Sequence, residues 1–145
     1  LLEDENIDFP SLVEFIESQE TSPSERGSIL RGLERSKSIE SGNWNIVYTN
    51  SGTLEGRLAT LLIGTGAEIS LVSRTREGVT RLTARASRKT TLSGIHLGEI
   101  METISEKIGG DGGGHSGAAG WSGNTDRIAA ESAFIAQVAT INRKE

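Results

Sequence analysis

Residues 67–87 read AEISLVSRTREGVTRLTARAS, and the alternation within this stretch decides the fold. Residues 67–74 and 79–87 are strand-like runs, and TREG at 75–78 is a turn between them, so the segment predicts a β-hairpin. Side chains alternate between the two faces of a strand. Leu82, Ala84 and Ala86 therefore share one face with Thr80, and Ile69 and Leu71 join them as core. Val79, Arg81, Thr83, Arg85 and Ser87 fall on the opposite, polar face. A solvated sheet surface accounts for that face, and so does a ligand-facing one. The hairpin also rules out an all-parallel sheet.

Working outward, NWNIVYTN at 43–50 alternates as a strand and ends in the turn residues Ser51 and Gly52. The helix that follows, 54–64, has Leu54, Leu58, Leu61 and Leu62 on its apolar side and stops at Gly64. Beyond the hairpin, residues 95–110 give the clearest helical pattern, with Leu97, Ile100, Met101, Ile104 and Ile108 at spacings of three and four. A terminal helix spans 125–141, capped by Asn124 or Thr125, with Ile128, Ser132, Ile135 and Ala139 along its buried side. Upstream, Ser22-Pro23-Ser24-Glu25 is a capping box with proline at the first helical position, followed by Ile29, Leu30 and Leu33. A first helix is expected over 11–18, with Leu12, Phe15 and Ile16 on one face. The order predicts an α/β fold: a small mixed β-sheet, including one β-hairpin, flanked by helices. Residues 1–40 read as a helical connector and 41–145 as the domain proper.

Composition narrows the class. With 145 residues the chain can bury one real core, and with 4% aromatics that core must be mostly Ile, Leu, Val and Ala. No apolar run reaches membrane-spanning length, and the acidic start LLEDENIDF does not resemble a signal or transit peptide, so no membrane association is expected. The absence of cysteine excludes disulfides and thiolate metal sites and fits a cytoplasmic location. The chain does not begin with Met, and its opening reads as the interior of a longer polypeptide. Net charge is −5, yet residues 71–95 carry Arg74, Arg76, Arg81, Arg85, Arg88 and Lys89 against Glu77 alone. An acidic chain with one basic stretch points either to a focused anion site or to a solvated hairpin.

The remaining question is the run GGDGGGHSGAAG at 109–120, in which seven of twelve residues are glycine. Glycine permits positive φ and close backbone approach to a ligand, and successive amides can converge on an anion. A flexible connection is the alternative. The run is neither a Walker motif, since no Lys-Ser/Thr follows, nor a dinucleotide fingerprint, since it follows a helix. His115 has three open roles: hydrogen bonding to phosphate, acid–base chemistry, or capping of backbone carbonyls. Trp121 either stacks on a base or is buried beneath the terminal helix, with burial favoured.

These residues resemble the Gly-Gly-Gly-His-x-x-Ala-Ala-Gly signature of the DHH-associated domain, the C-terminal lobe of DHH-superfamily phosphoesterases, which also occurs in alanyl-tRNA synthetase relatives. Gly112, Gly113, Gly114, His115, Ala118, Ala119 and Gly120 match it, and the strand LTARAS is similar to the family's Arg-(x)-Ser element, placing Arg85 and Ser87. The resemblance covers about two-thirds of the chain, from Trp44 onward, and leaves residues 1–40 as an interlobe connector. It implies a substrate-binding lobe of a RecJ-like single-strand exonuclease, with these residues holding phosphates or a terminal nucleotide. Arg81, Arg88, Lys89 and Trp121 would be auxiliary. The implied partners are single-stranded nucleic acid or an oligonucleotide and the DHH catalytic lobe of the same polypeptide. That lobe would bind divalent manganese or magnesium; no cofactor, no metal ligands and no catalytic residue are expected in this segment, which has only two histidines and no Asp-His-His run. An oligoribonuclease or small-nucleotide phosphodiesterase lobe and a stand-alone protein-interaction domain are the alternatives. Asp111, inside the glycine run, is expected to turn away or to engage Arg88 or Lys89.

Overall fold

The computed structural model describes residues 22–144. The helix expected over 11–18 and the first part of the connector lie outside the described residues. Eleven elements follow in order: α1 (Pro23–Glu34), β1 (Lys37–Ser41), β2 (Trp44–Asn50), α2 (Glu55–Gly64), β3 (Ile69–Arg76), β4 (Val79–Ala86), α3 (Arg88–Leu92), α4 (Leu97–Ile108), β5 (Asp111–Gly114), β6 (Ala118–Gly123) and α5 (Arg127–Ala139). The strands form one mixed sheet in the order β1-β2-β3-β4-β6-β5. Only β2 and β3 run parallel, joined through α2, and every other pairing is antiparallel.

The β3–β4 hairpin is the centre of this sheet. Its turn is tighter than TREG: the strands extend to Arg76 and Val79, and Glu77 and Gly78 alone turn the chain, at φ 51° and 80°. Two successive left-handed residues match the right-handed twist of the strands, which favours such two-residue loops. Ile69, Leu71, Leu82 and Ala84 are fully buried on one face, as parity requires. They join Trp44, Ile46, Trp121 and the apolar stripes of α4 and α5 in the main core.

The opposite face is not uniformly polar. Over β2 and β3 it is covered by α1 and α2, where Val47 and Val72 pack against Ile29, Leu33, Leu58 and Leu62 in a second, smaller core. Polar residues on this side are buried with partners: Thr49 Oγ1 donates to the Gly32 carbonyl at 2.7 Å and Ser70 Oγ to the Ala59 carbonyl at 2.7 Å. Buried hydroxyls satisfied in this way cost little. α2 also reaches the near edge of β4, where Gly56 meets Arg85, but over β6 and β5 no helix covers this face among the described residues.

Several expectations change. Residues 37–41 form the edge strand β1 rather than helix, so the boundary set at residue 40 falls inside the sheet. The glycine run is not an open loop: it supplies β5, and Ala118–Gly123 supplies β6. Helix α5 is capped by Asp126, whose side chain accepts the Ala129 N–H at 3.0 Å, and not by Asn124 or Thr125. Its buried side is Ala130, Glu131, Phe134 and Val138, while Ile128 is 65% exposed and Ser132 and Ala139 face solvent. The register is set by Phe134, the largest apolar side chain of the helix, which reaches the core centre at 0% exposure. Trp121 is buried, with its indole N–H donating to the Gly109 carbonyl at 2.9 Å, so the ring is not available for stacking.

Candidate functional site

The uncovered part of the sheet holds a depression of about 490 Å³. Arg81, Thr83 and Arg85 line it from β4, Asp111, Gly113 and Gly114 from β5, and Ala118, Gly120 and Ser122 from β6. Strand register explains its shape. Arg85 pairs with Ala118, Thr83 with Gly120 and then Gly113, and Arg81 with Ser122 and then Asp111. The middle row therefore carries one threonine side chain and two glycines. It is a floor of nearly bare main chain with an arginine at each end of β4.

The glycines divide by parity. Gly112 faces the main core, where an added Cβ would stand 2.3 Å from the Met101 carbonyl oxygen. At Gly113 an added Cβ would meet nothing closer than 4.0 Å. Gly114 has φ 141°, and an added Cβ there would press on Ala118 and Ala119. Both Ala118 and Ala119 border the depression, and Ala119 is itself buried, paired with Ala84.

The β5–β6 turn is held firmly. The carbonyls of His115, Ser116 and Gly117 accept N–H groups of Gly98, Leu97 and Ala86 at 2.9, 2.9 and 3.0 Å, and His115 N–H donates to the Ala118 carbonyl at 2.8 Å. A flexible connection has no such bonds. Among the described residues the Ser116 and Gly117 N–H groups and the His115 imidazole make no hydrogen bond. His115 is exposed and stands beside the depression rather than in its lining. Register places it at the Arg85 end, because Ala118 both pairs with Arg85 and closes the turn begun at His115.

Arg85 is half-buried, donates from Nη1 to the Ala84 carbonyl at 2.9 Å, and passes 3.2 Å from where a Cβ on Gly56 would stand. Among the described residues that carbonyl is the one hydrogen-bond partner of its guanidinium. Ser87 serves the backbone nearby, where its Oγ caps α3 by accepting the Thr90 N–H at 3.2 Å. Arg88 and Lys89 are exposed on that short helix and do not line the depression. Asp111 does line it, on the Arg81 row, and forms no ion pair with Arg88 or Lys89 among the described residues.

The sequence reading missed two residues that bear on the depression. Thr83 sits at the centre of the floor. Glu55 opens α2 and is 8% exposed; its Oε1 lies 3.3 Å from Arg74 Nε and 3.8 Å from Arg81 Nη1, with no donor aligned on it. His96 caps α4, its Nδ1 accepting the Glu99 N–H at 3.1 Å. An acid at the first helical position and the pairing of Arg74 with Arg81 were the only signals for Glu55. Among the described residues no three His, Asp or Glu side chains stand together as a metal site. No described helix is long and apolar enough to cross a membrane.

Comparison with known proteins identifies the family and the fold. Residues 46–141 match the DHHA1 domain model. An uncharacterized protein of Methanocaldococcus jannaschii is 31% identical over 126 residues, which is 86% of this chain but 38% of that protein's length. The C-Ala domain of Aquifex aeolicus alanyl-tRNA synthetase superposes with a TM-score of 0.57 at 14% identity, covering 71% of this chain and 98% of that one. An exopolyphosphatase-related protein from Bacteroides fragilis gives 0.61 at 14% identity, covering 83% and 35%. A pGpG-specific phosphodiesterase from Vibrio cholerae gives 0.54 at 16% identity, covering 91% and 42%. At these identities the structures share the fold alone. With its sheet order, its bare glycine floor and a matching family model over most of its length, the chain belongs to the DHHA1 domain family.

Proposed function

We propose that this chain is the phosphate- and nucleic-acid-binding lobe of a DHH-type phosphoesterase of the RecJ-like, single-strand exonuclease kind. It holds the substrate and does not cut alone. One observation carries the reading: the 490 Å³ depression whose floor is main chain and whose ends are Arg81 and Arg85. That volume lies within the range of pockets that take a small ligand such as a nucleotide. A glycine floor lets a sugar-phosphate backbone approach closely, and the guanidiniums offer charged, forked hydrogen bonds to its oxygens. The Ser116 and Gly117 N–H groups and His115 at the Arg85 end would take a terminal phosphate. Manganese or magnesium and the phosphodiester chemistry belong to the DHH lobe, which is this lobe's partner in the reading.

Titration with labelled oligonucleotides of increasing length tests it. Affinity that rises with length supports a strand binder, whereas a plateau at two or three nucleotides assigns the lobe to a short-substrate phosphodiesterase. No binding by this chain, nor by a polypeptide carrying it with a DHH lobe, would leave a protein-interaction domain. Arg85→Ala is expected to cost about 1.5–3 kcal/mol, the range for a hydrogen bond to a charged group, or roughly 10- to 150-fold in Kd. Unchanged affinity would remove Arg85 from the site.

A further inference from the structure

A second, smaller depression of about 190 Å³ lies at the carboxyl ends of β2 and β3, lined by Asn50, Ser51, Gly52, Ser73, Arg74, Thr75 and Arg127. We propose that it is a separate oxyanion site of phosphate class, with Arg74 and Arg127 as its cationic walls.

Three observations support it. First, the arginines are fixed from below. Arg74 Nε lies 3.3 Å from Glu55, and Arg127 Nη1 donates to Glu131 Oε2 at 3.1 Å. Both carboxylates are nearly buried, at 8% and 7% exposure, and Glu131 also accepts a hydrogen bond from Ser73 Oγ. A guanidinium has five N–H donors, and among the described residues Arg127 spends one nitrogen on Glu131, whereas Arg74 stands in ion-pair contact with Glu55 without an aligned hydrogen bond. The rest of each fork is already positioned, so binding an anion requires little reorganisation.

Second, charge is in surplus. Arg35 Nη2 donates to the Asn50 carbonyl at 2.7 Å and Arg76 Nη2 to the Gly52 carbonyl at 2.8 Å, which brings four guanidiniums around residues 50–52. Among the described residues Glu55 and Glu131 are the acids paired with them, and Glu55 is shared with Arg81. Counted over the described residues, the cluster is net positive in a chain whose formal charge is −5. The Gly52 N–H makes no hydrogen bond among the described residues, and an added Cβ at Gly52 would meet nothing within 4 Å. The lip is thus an open amide beside two arginines.

Third, topology favours the place. β2 and β3 are the one parallel pair in the sheet, so both present their carboxyl ends at this depression. The lining residues are distinct from those of the glycine-floored depression; the two adjoin where Arg74 pairs across the hairpin with Arg81, both beside Glu55.

Free inorganic phosphate and the phosphodiester of a nucleic acid present the same oxygens, and two titrations of the 145-residue chain separate them. The readout is the amide shifts of Ser51, Gly52 and Thr75 and the Nε–H resonances of Arg74 and Arg127. One arm adds inorganic phosphate and the other a thymidine dinucleotide. Saturable shifts in the phosphate arm assign a free-phosphate site; saturation in the dinucleotide arm alone assigns a phosphodiester site. In either case Arg127→Ala is expected to weaken binding at least tenfold, while Arg85→Ala leaves these resonances responding as before. If Arg127→Ala loses its dispersed amide spectrum, Arg127→Gln carries the same test, because it keeps a donor for Glu131 and removes the charge. The proposal is overturned if neither arm saturates by roughly 20 mM, well above a millimolar Kd. It is equally overturned if neutralising Arg127 changes nothing, or if Arg85→Ala abolishes the shifts, which would assign them to the other depression.

Discussion

Gly112 and Gly113 are adjacent and chemically identical, yet the sheet gives them opposite duties. Gly112 lies under α4, where a methyl group would overlap the Met101 carbonyl at 2.3 Å. The obstacle is main chain and cannot rotate away, so Gly112→Ala should destabilise the fold by about 3 kcal/mol, the upper end of overpacking penalties. Gly113 faces the depression with open space, so Gly113→Ala should leave stability within about 0.5 kcal/mol, as other unobstructed surface substitutions do. The same methyl would stand on the floor beneath a bound phosphate. Oligonucleotide affinity should fall roughly tenfold, the equivalent of 1.4 kcal/mol. Urea denaturation and a binding titration on the two variants separate packing from binding, and equal behaviour of the pair would contradict this division. In the sequence both glycines fit the same motif, and only the strand parity of β5 tells them apart.

Helix α1 shows how much an element's own residues can announce. Ser22 and Glu25 form the reciprocal capping box that the spacing predicted, with Ser22 N–H to Glu25 Oε1 at 3.0 Å and Glu25 N–H to Ser22 Oγ at 3.1 Å. The Ser22 backbone N–H, and then its hydroxyl, hold the Glu25 carboxyl below its usual range. A carboxyl whose folded pKa is lowered adds stability above its unfolded pKa, and that contribution is lost as pH falls through the folded value. Glu25→Gln keeps a capping partner without the titration. The natural chain should therefore gain on this variant above the ordinary glutamate range and lose that gain in more acidic solution, as urea midpoints across pH would show. Helix α4 was equally legible, because Leu97, Ile100, Met101 and Ile104 recur strictly and all are buried. β5 was not, because glycine carries no side chain to alternate and a strand of four such residues has no visible period. β1 was hidden for a related reason: Lys37–Ser41 is an edge strand with mostly exposed positions, and its pairing with β2 is a tertiary fact. The α5 face was misjudged because alanine is nearly neutral between core and surface, so Ile128 and Phe134 competed for the inward position. That Arg85 and the glycine run border one depression followed from the motif as a candidate site; the Glu55 clamp joins residues of α2, β3 and β4 that only the folded sheet brings together.

At the scale of the molecule, the sheet is wider than the helical layer over its second face. α4 and α5 cover one side, whereas α1 and α2 reach across β2 and β3 to the near edge of β4 on the other, leaving β6, β5 and the β6 side of β4 open among the described residues. Arg74, Arg76, Arg81 and Arg85 lie on or beside that open side, so a chain of net charge −5 presents a local positive field there. Binding of a single strand should then depend on salt through local phosphate contacts despite the overall charge. If about three phosphates are engaged, at roughly 0.7 each, the log–log slope of affinity against salt is near −2. Raising salt from about 50 to 200 mM would weaken binding roughly sixteen- to twentyfold. Arg81 has a partner in Glu55 but remains half-exposed at 53%, free enough to reach a phosphate. Arg81→Ala should therefore lower affinity across all sequences alike and reduce the slope by roughly 0.7, the loss of one contact. A slope near zero in the natural chain would mean that the open face recognises something other than a charged strand, and an unchanged slope in the variant would place the strand's path away from Arg81.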